Sequence, residues 1–441
     1  MFLYDKLTAR AADKPVRVAL IGAGKFGSMF LSQVPTTPGL KVAVIADLNV
    51  DRAKANCRSV HWTSEQIDAT DFIDNGMDAI KRDDIDVVVE ATGHPKAGVL
   101  HARSAFEHGK HIIMVNVEAD VLAGPALAKE AEAAGVVYSM AYGDQPALVS
   151  EMVEWARCCG FGIGAAGKGT IYAPHYHQST PDTVWDAFHI TAEDARAAGM
   201  NPKMFNSFVD GTKSGIEMAA IANACNLAVP SDGLGFYPAG AHDLATVLRP
   251  KSIGGMLERT GITEVVSCLE PDGRWVHNHI RQGVYVILEA PNDYAAACFK
   301  QYGLDPDPTG RFAAMYRPFH LIGLELGISI LAAALEGKAT GHARSFVGEP
   351  AACAKKNMAA GEMLDGEGGY CVWGKLIPAS RSLDEGALPI GLAQDVRLKR
   401  PVSAGQIITT ADVEIDETDP VVAYRRAMED AWRPQLAEAA Q

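Results

Sequence analysis

VRVALIGAGKFGSMFLSQV, residues 16–34, decides the fold. Val16 to Ile21 is a short apolar run, three glycines follow, and apolar residues then recur at helical spacing, so the stretch reads strand, tight turn, helix. Gly22-Ala-Gly24-Lys25-Phe26-Gly27 is a G-x-G-x-x-G loop. In that setting the first glycine permits the turn, the second lets backbone amides approach a pyrophosphate, and the third allows close helix–strand packing. Lys25 and Phe26 lie inside the loop as further candidate contacts. Asp47 closes the next strand, where a carboxylate reaches a ribose 2′-hydroxyl, whereas Arg52 and Lys54 just beyond it suit a 2′-phosphate. The residues alone leave NAD(H) and NADP(H) both open.

Working outward, KVAVIAD (41–47), DVVVEATG (86–93), KHIIMVN (110–116) and GVVYSMA (135–141) are further buried strands with helical segments between most of them. Continuous apolar strands alternating with helices predict a doubly wound parallel sheet of the Rossmann type over residues 1–150. Glu90-Ala-Thr92-Gly93 closes a strand at its carboxyl end, where the ligand crevice of such a sheet lies, so Thr92 and Gly93 are candidate cofactor contacts, as is Asn116 at the end of the following strand. Beyond Glu151 the alternation stops. Residues 151–345 mix helical stretches (IEMAAIANACNLA, LIGLELGISILAAALEG) with strand-like ones (GTIYAPHYH, GVYVILEA) and read as an α+β substrate and dimerisation domain. Residues 346–441 read as a small β-rich module with a helical tail.

Forty Lys and Arg against fifty-four Asp and Glu give a net charge of −14, which offers no basic field for nucleic acid or an anionic membrane. A hydrophobic fraction of 48% with 21% charged residues is ordinary globular usage. The eight cysteines form no C-x-x-C pair and predict reduced thiols. The charged start MFLYDKLTARAADKP lacks a signal-peptide core and no stretch is long enough to span a membrane, so a cytoplasmic location is expected.

Hydride chemistry needs a proton-transferring group and groups that fix the substrate. Phe208-Val-Asp210-Gly-Thr-Lys213-Ser214-Gly-Ile-Glu217 reads as a loop entering a helix, with Lys213 and Glu217 at i and i+4 on one face. Lys213, Glu217 and Asp210 are the catalytic candidates, and Glu217 and Asp210 the oxygen ligands for a Mg²⁺ or Mn²⁺ ion. Lys168 precedes the strand-like Ile171-Tyr172-Ala-Pro-His175-Tyr-His177, in which His175 and His177 project to one side as a pair of metal or anion ligands. With Ser214, Lys168, Tyr172 and His175, the cations Lys251, Arg317 and His320 complete a set suited to a small anionic substrate.

VRVALIGAGKFGSMFL, VVVEATG and HIIMVNVEADVLAGPALAKEAEAAGVVYSMAYGDQPALV resemble the cofactor domain of homoserine dehydrogenase. In that family a lysine follows the asparagine that stands here as Asn116, but this chain has Asn116-Val-Glu118. The family's acid also precedes its lysine, whereas Lys213 precedes Glu217, so both departures argue against homoserine as substrate. The whole chain, with a C-terminal part resembling an SAF domain, is similar to bacterial homoserine-dehydrogenase-like oxidoreductases. One branch of these is the type II, DXR-like, 1-deoxy-D-xylulose 5-phosphate reductoisomerase. That resemblance implies NADP(H), and isomerisation and reduction of a ketose phosphate to 2-C-methyl-D-erythritol 4-phosphate for isoprenoid synthesis; a homo-oligomer, a homodimer first, is expected by analogy with other chains that join a Rossmann domain to an α+β domain. A hydroxy-acid dehydrogenase and a non-catalytic nucleotide- or sugar-sensing protein are the alternatives.

Overall fold

The glycine loop joins β1 (Val16–Ile21) to helix Lys25–Gln33, as its pattern requires. The computed structural model describes residues 2–10 and 14–439. β1 lies in a six-stranded sheet with β2 (Leu40–Ala46), β3 (Asp71–Ile73), β4 (Val87–Glu90), β5 (His111–Met114) and β6 (Tyr138–Met140), in the order β3-β2-β1-β4-β5-β6. Every pairing is parallel, and this order is that of the dinucleotide-binding α/β fold, with its switch point between β1 and β4.

The chain divides into two units: residues 1–151 with 320–344, and residues 152–319 with 345–441. Residues 320–344 therefore leave the α+β segment in which the expected boundaries placed them. The reason is apolar: Leu326, Ile330, Leu331, Ala332 and Ala333, on or beside helix Gly327–Glu336, join the same buried cluster as Leu20, Val87 and Val89 of the parallel sheet.

The second unit holds a mixed five-stranded sheet, β11-β10-β7-β9-β8, built from β7 (Gly162–Thr170), β8 (Tyr237–Pro238), β9 (Ile262–Ser267), β10 (Val284–Glu289) and β11 (Phe312–Arg317). Helix Thr212–Cys225 is buried at every residue except Lys213. Such a helix must be covered on all sides. It contacts β7 and β9 of this sheet and also β12 (Gly348–Ala354) and β14 (Val372–Pro378), which pair antiparallel. Its polar residues tie it in: Thr212 Oγ1 accepts from Gly374 N at 2.9 Å, and Asn223 Oδ1 accepts from Val347 N and Gly348 N at 2.7 and 3.0 Å.

The C-terminal segment is β-rich as expected, with β13 (Met363–Asp365), β15 (Gln394–Leu398) and β16 (Val413–Glu414) forming a second small sheet before helix Pro420–Ala439. That helix is held by Arg425, whose fully buried guanidinium contacts Glu349 of β12, donates to Glu429 at 2.8 Å and lies 4.9 Å above the Phe346 ring. No disulfide links the eight cysteines. Among the described residues, no helix is long and apolar enough to cross a membrane.

Removing one partner of a buried ion pair strands the other charge at a cost of about 3–5 kcal/mol. Arg425→Met is accordingly expected to lower the urea midpoint by a comparable stability, while Arg426→Met, at a more exposed neighbour, costs under about 1 kcal/mol. Equal effects of the two substitutions would show that the buried pair does not anchor the helix.

Candidate active site

The first unit carries a nucleotide cradle at the carboxyl ends of β1, β2 and β4. Gly22 has φ +93°, and a Cβ there would stand 2.6 Å from the Ala91 carbonyl oxygen; a Cβ on Gly27 would stand 2.6 Å from the Gly22 carbonyl oxygen. Both positions exclude a side chain. Gly24, the N-cap of helix Lys25–Gln33, faces open space, and no side chain caps that helix. Its first amides are therefore left for an anion, and the residues fit a dinucleotide's pyrophosphate. Lys25 is exposed beside them, while Phe26 packs partly into the core.

At the end of β2, Asp47 is 8% exposed and its oxygens are occupied. Oδ2 accepts from Ala23 N at 2.9 Å, and Oδ1 accepts from Asn49 N at 2.8 Å and from Arg52 Nη2 at 3.0 Å. The carboxylate thus braces the glycine loop, and the Arg52 guanidinium, 59% exposed, stands over it. Leu48, which the sequence reading passed over, is 94% exposed next to Asp47.

At the end of β4, Glu90 is fully buried and is not a solvated strand-end carboxylate. Its Oε1 accepts from Thr92 Oγ1 at 2.5 Å and lies 3.1 Å from His101 Nδ1, while Oε2 has no hydrogen-bond partner. Thr92 and Gly93 are exposed on the loop that follows. Asn116 is buried and used structurally: Oδ1 caps helix Val117–Ala133 through Ala119 N at 3.1 Å, and Nδ2 donates to the His94 carbonyl at 3.0 Å.

In the second unit, Glu217 does not pair with Lys213 as the i, i+4 reading expected. Its carboxylate meets Lys168 of β7, with side-chain exposures of 3% and 8%. Lys213 is the half-buried residue of the first helical turn, whereas Glu217 lies one turn deeper, where the helix presses on the sheet. Ser214 Oγ is buried in that turn with no hydrogen-bond partner.

Asp210 is fully buried and committed. Oδ1 accepts from Thr212 N at 2.8 Å, and Oδ2 accepts from Lys355 Nζ at 2.7 Å. The Asp210–Glu217 metal cage expected from sequence is therefore corrected: each carboxylate is already matched to a lysine. Among the described residues no group of three or more His, Cys, Asp or Glu is placed to hold a metal ion. The donor set does not fit Mg²⁺ or Mn²⁺, which want several free oxygens.

The paired-histidine strand is corrected as well. β7 ends at Thr170, and residues Pro174–Gln178 form a 3₁₀ turn. His175 is exposed against Tyr176, while His177 turns inward. His177 Nδ1 is 2.7 Å from the Asp210 carbonyl oxygen and Nε2 is 3.2 Å from the Tyr172 hydroxyl. Burial pushes the His177 imidazole below its ordinary pKa. Its ring stacks on Trp373 at 3.9 Å, and Tyr172 stacks on Phe236 at 4.1 Å.

The remaining anion candidates disperse. Lys251 is exposed in a short turn, and its neighbour Arg249 is buried against Asp307. Arg317 ends β11 with its guanidinium 4.8 Å above the Phe319 ring, and His320 belongs to the first unit. Sequence reasoning missed Trp373, Phe236, Lys355 and Glu264, none of which belongs to a spaced motif. Glu264 of β9 accepts from Gly235 N at 2.9 Å and from Val265 N at 2.8 Å, and burial pushes its carboxyl up to about 7.

Two family models match this framework. Residues 22–140 match the homoserine dehydrogenase NAD-binding domain, and residues 143–326 match the catalytic domain of the oxidoreductase DRL. By its domains the chain is an NAD(P)-dependent oxidoreductase. No curated protein matches it. Among solved structures it is similar to a homoserine dehydrogenase from Thiobacillus denitrificans, at 18% identity over 48% of this chain and 49% of that one, with a TM-score of 0.35. It is also similar to a 3-ketoreductase from Actinomadura kijaniata in complex with NADP, at 18% identity over 36% of this chain and 50% of that one, TM-score 0.27. A third is the 1-deoxy-D-xylulose 5-phosphate reductoisomerase from Zymomonas mobilis in complex with NADPH, at 14% identity over 47% of this chain and 58% of that one, TM-score 0.34. The chain spans about half the length of the first two. Lys168, Tyr172, His177, Asp210 and Glu217 of this oxidoreductase all fall inside the matched catalytic segment; Lys355 and Trp373 fall outside it.

Two predictions follow from this geometry. Gly24→Ala meets open space, so melting is expected to stay within about 2 °C of wild type, while NADPH affinity by fluorescence titration falls at least about tenfold as a methyl group enters the pyrophosphate's place. Undiminished affinity would move the nucleotide elsewhere. For Glu264, the folded chain keeps a proton between the carboxyl's ordinary 4.5 and about 7 that the unfolded chain has already released. Its contribution to stability therefore falls as pH rises through that window. Urea midpoints across that window are expected to decline less steeply in Glu264→Gln than in wild type; parallel slopes would count against the raised carboxyl.

Proposed function

We propose that this oxidoreductase uses NADPH to reduce a small phosphorylated carbonyl compound, and most specifically that it converts 1-deoxy-D-xylulose 5-phosphate to 2-C-methyl-D-erythritol 4-phosphate. The observation that carries the reading is the buried Lys168–Glu217 pair within the matched catalytic segment. A buried ion pair is poor value as a stabiliser, because desolvation offsets most of its attraction. Buried charges of this kind cluster at sites of chemistry. Lys168 supplies an ammonium that can polarise a carbonyl oxygen and stabilise an enediolate, and Glu217 holds that ammonium in place.

NADPH is preferred because of how Asp47 is used. Its oxygens are taken by Ala23, Asn49 and Arg52, which leaves the exposed Arg52 guanidinium as the group facing a ribose substituent. A guanidinium matches a 2′-phosphate in a way that a neutral hydroxyl does not. Leu48 offers an apolar edge beside it for an adenine ring. Bound NADPH supplies the hydride. The chain's residues hold the cofactor, keep the Lys168 charge in a dry setting and orient the carbonyl. The carboxylates that a divalent cation would need, Asp210 and Glu217, are matched to Lys355 and Lys168. The ketose phosphate as substrate is supported by the sequence resemblance to the DXR-like branch.

The test is nicotinamide oxidation followed by absorbance with 1-deoxy-D-xylulose 5-phosphate, with NADH and L-aspartate semialdehyde as controls. Wild type is expected to turn over the ketose phosphate with NADPH. Lys168→Ala and Glu217→Ala are expected to lose at least about 100-fold in kcat/KM. Arg52→Ala is expected to lose about tenfold or more with NADPH and to change little with NADH. Turnover of the semialdehyde alone would replace the reductoisomerase reading with a homoserine-type dehydrogenase.

A further inference from the structure

We propose that Glu90 and His101 are the positioning pair of the crevice wall that meets the nicotinamide half of the cofactor, and that Thr92 carries their influence to the ligand. This rests on the nucleotide cradle of the first unit and on no choice of substrate, and every residue involved belongs to that unit. In the order β3-β2-β1-β4, strands β2 and β4 flank β1 on opposite sides. Asp47 and Arg52 at the end of β2 serve the adenosine ribose, and the glycine loop after β1 serves the pyrophosphate. The loop after β4 is then left to the nicotinamide half.

That wall is built onto the glycine loop. Glu90 pairs in register with Ile21, and the Ala91 amide donates to the Ile21 carbonyl at 2.8 Å. A Cβ on Gly22 would stand 2.6 Å from the Ala91 carbonyl oxygen and 3.1 Å from the Thr92 nitrogen. Backbone lies on backbone, so the setting of the peptide between Ala91 and Thr92 is felt directly at the turn. Thr92 and Gly93 themselves are exposed, Gly93 with φ +69° and open space where a Cβ would be. An exposed loop in this position needs an anchor from beneath.

Glu90 is that anchor. Its Oε1 accepts the single hydrogen of the Thr92 hydroxyl at 2.5 Å. The Thr92 oxygen in turn receives two longer contacts, from His94 N at 3.3 Å and Asn116 Nδ2 at 3.4 Å. A carboxylate oxygen offers only lone pairs, so the 3.1 Å contact between Oε1 and His101 places a hydrogen on Nδ1 of the imidazole. Oε1 thus takes two hydrogens, one from the loop and one from helix Pro95–Glu107, while Oε2, equally buried, takes none.

Two missing side chains make room for the arrangement. A Cβ on Gly76 would stand 2.8 Å from His101 Nε2 and 2.9 Å from Ile21 Cγ2, and a Cβ on Gly98 would stand 2.8 Å from Asn116 Nδ2. The Glu90 and His101 side chains are 0% and 12% exposed, and a polar pair this dry gains little over apolar residues of the same size. The rest of β4, Val87 to Val89, is wholly buried and apolar, so the core itself asks for no polar group at position 90. What the carboxylate adds is direction: it holds Thr92 in one place against the nucleotide cradle.

Titration of the full-length protein with NADPH and with adenosine 2′,5′-bisphosphate, which carries only the adenosine half, tests the pair. Glu90→Ala is expected to weaken NADPH at least about tenfold and to leave the bisphosphate within about twofold of wild type. Glu90→Gln keeps the shape and an oxygen that accepts from both Thr92 and His101, and is expected to hold NADPH affinity within about threefold of wild type. His101→Phe, which keeps the bulk and loses the donor, is expected to lose about threefold for NADPH alone. Equal losses for the two ligands, or undiminished NADPH affinity in Glu90→Ala, overturn the proposal. If Glu90→Ala does not fold, the exposed Thr92→Val decides in its place, with the same selective loss expected and the same outcomes overturning it. In nitrogen-15 histidine spectra of the cofactor-free protein, with His101 assigned by its loss in His101→Phe, a hydrogen is expected on Nδ1, and a bare Nδ1 overturns the pairing. A wild type that prefers NADH removes the NADPH preference proposed above, and the same comparison with NADH and ADP then tests the pair unchanged. Failure to turn over the ketose phosphate removes the substrate reading and enters neither measurement.

Discussion

The second unit depends on one ammonium. Lys355 Nζ donates to Asp210 Oδ2, to the Ser179 carbonyl and to the Gly369 carbonyl, each at 2.7 Å, with a side chain only 2% exposed. Its three hydrogens meet three acceptors from three segments, and nothing is left over. A buried charge without partners is costly enough that these segments settle together or not at all. Asp210 then passes the constraint on: its second oxygen caps Thr212 N at the start of the helix carrying Glu217, and its carbonyl fixes the tautomer of His177. The C-terminal segment is thereby built into the second unit.

The two lysine–carboxylate pairs of this unit differ in what they leave available. Asp210–Lys355 is saturated and structural. Lys168–Glu217 is nearly as dry but joins only two elements: the ammonium comes from β7, the carboxylate from helix Thr212–Cys225, and the Glu217 oxygen that meets Lys168 makes no further hydrogen bond. In the first unit the contrast repeats with exposure as the variable. Asp47 is buried and braces the glycine loop, while Arg52, mostly in solvent, gains little from its pair and is available to a ligand.

Parts of this architecture were legible residue by residue. Five of the six parallel strands, all but the three-residue β3, together with the loop at 22–27 and the carboxylate at 47, follow from local patterns, because strand, turn and helix signals act within a few residues of one another. Lys213 and Glu217 were read as partners because helical spacing sees only its own helix. The partner that the fold supplies, Lys168, sits on a strand, and no periodicity links the two. His175 and His177 were read onto a strand that ends at Thr170, since Pro174 starts a turn that the apolar-polar alternation did not register. The move of residues 320–344 into the first unit was equally hidden: an apolar helix is read from sequence readily, but the surface it covers is not.

By itself the amino-acid sequence determined the class of fold, the nucleotide loop and the acidic, thiol-bearing character of the chain. These are consequences of short-range sterics and of composition, which any segment carries with it. Only the tertiary structure decided which charges meet: Lys168 with Glu217, Lys355 with Asp210, His177 with Trp373 and Tyr172. The physical reason is desolvation. A charge or a ring nitrogen acquires its role from the groups that replace water around it, and those groups arrive from distant parts of the chain only when the cores have closed.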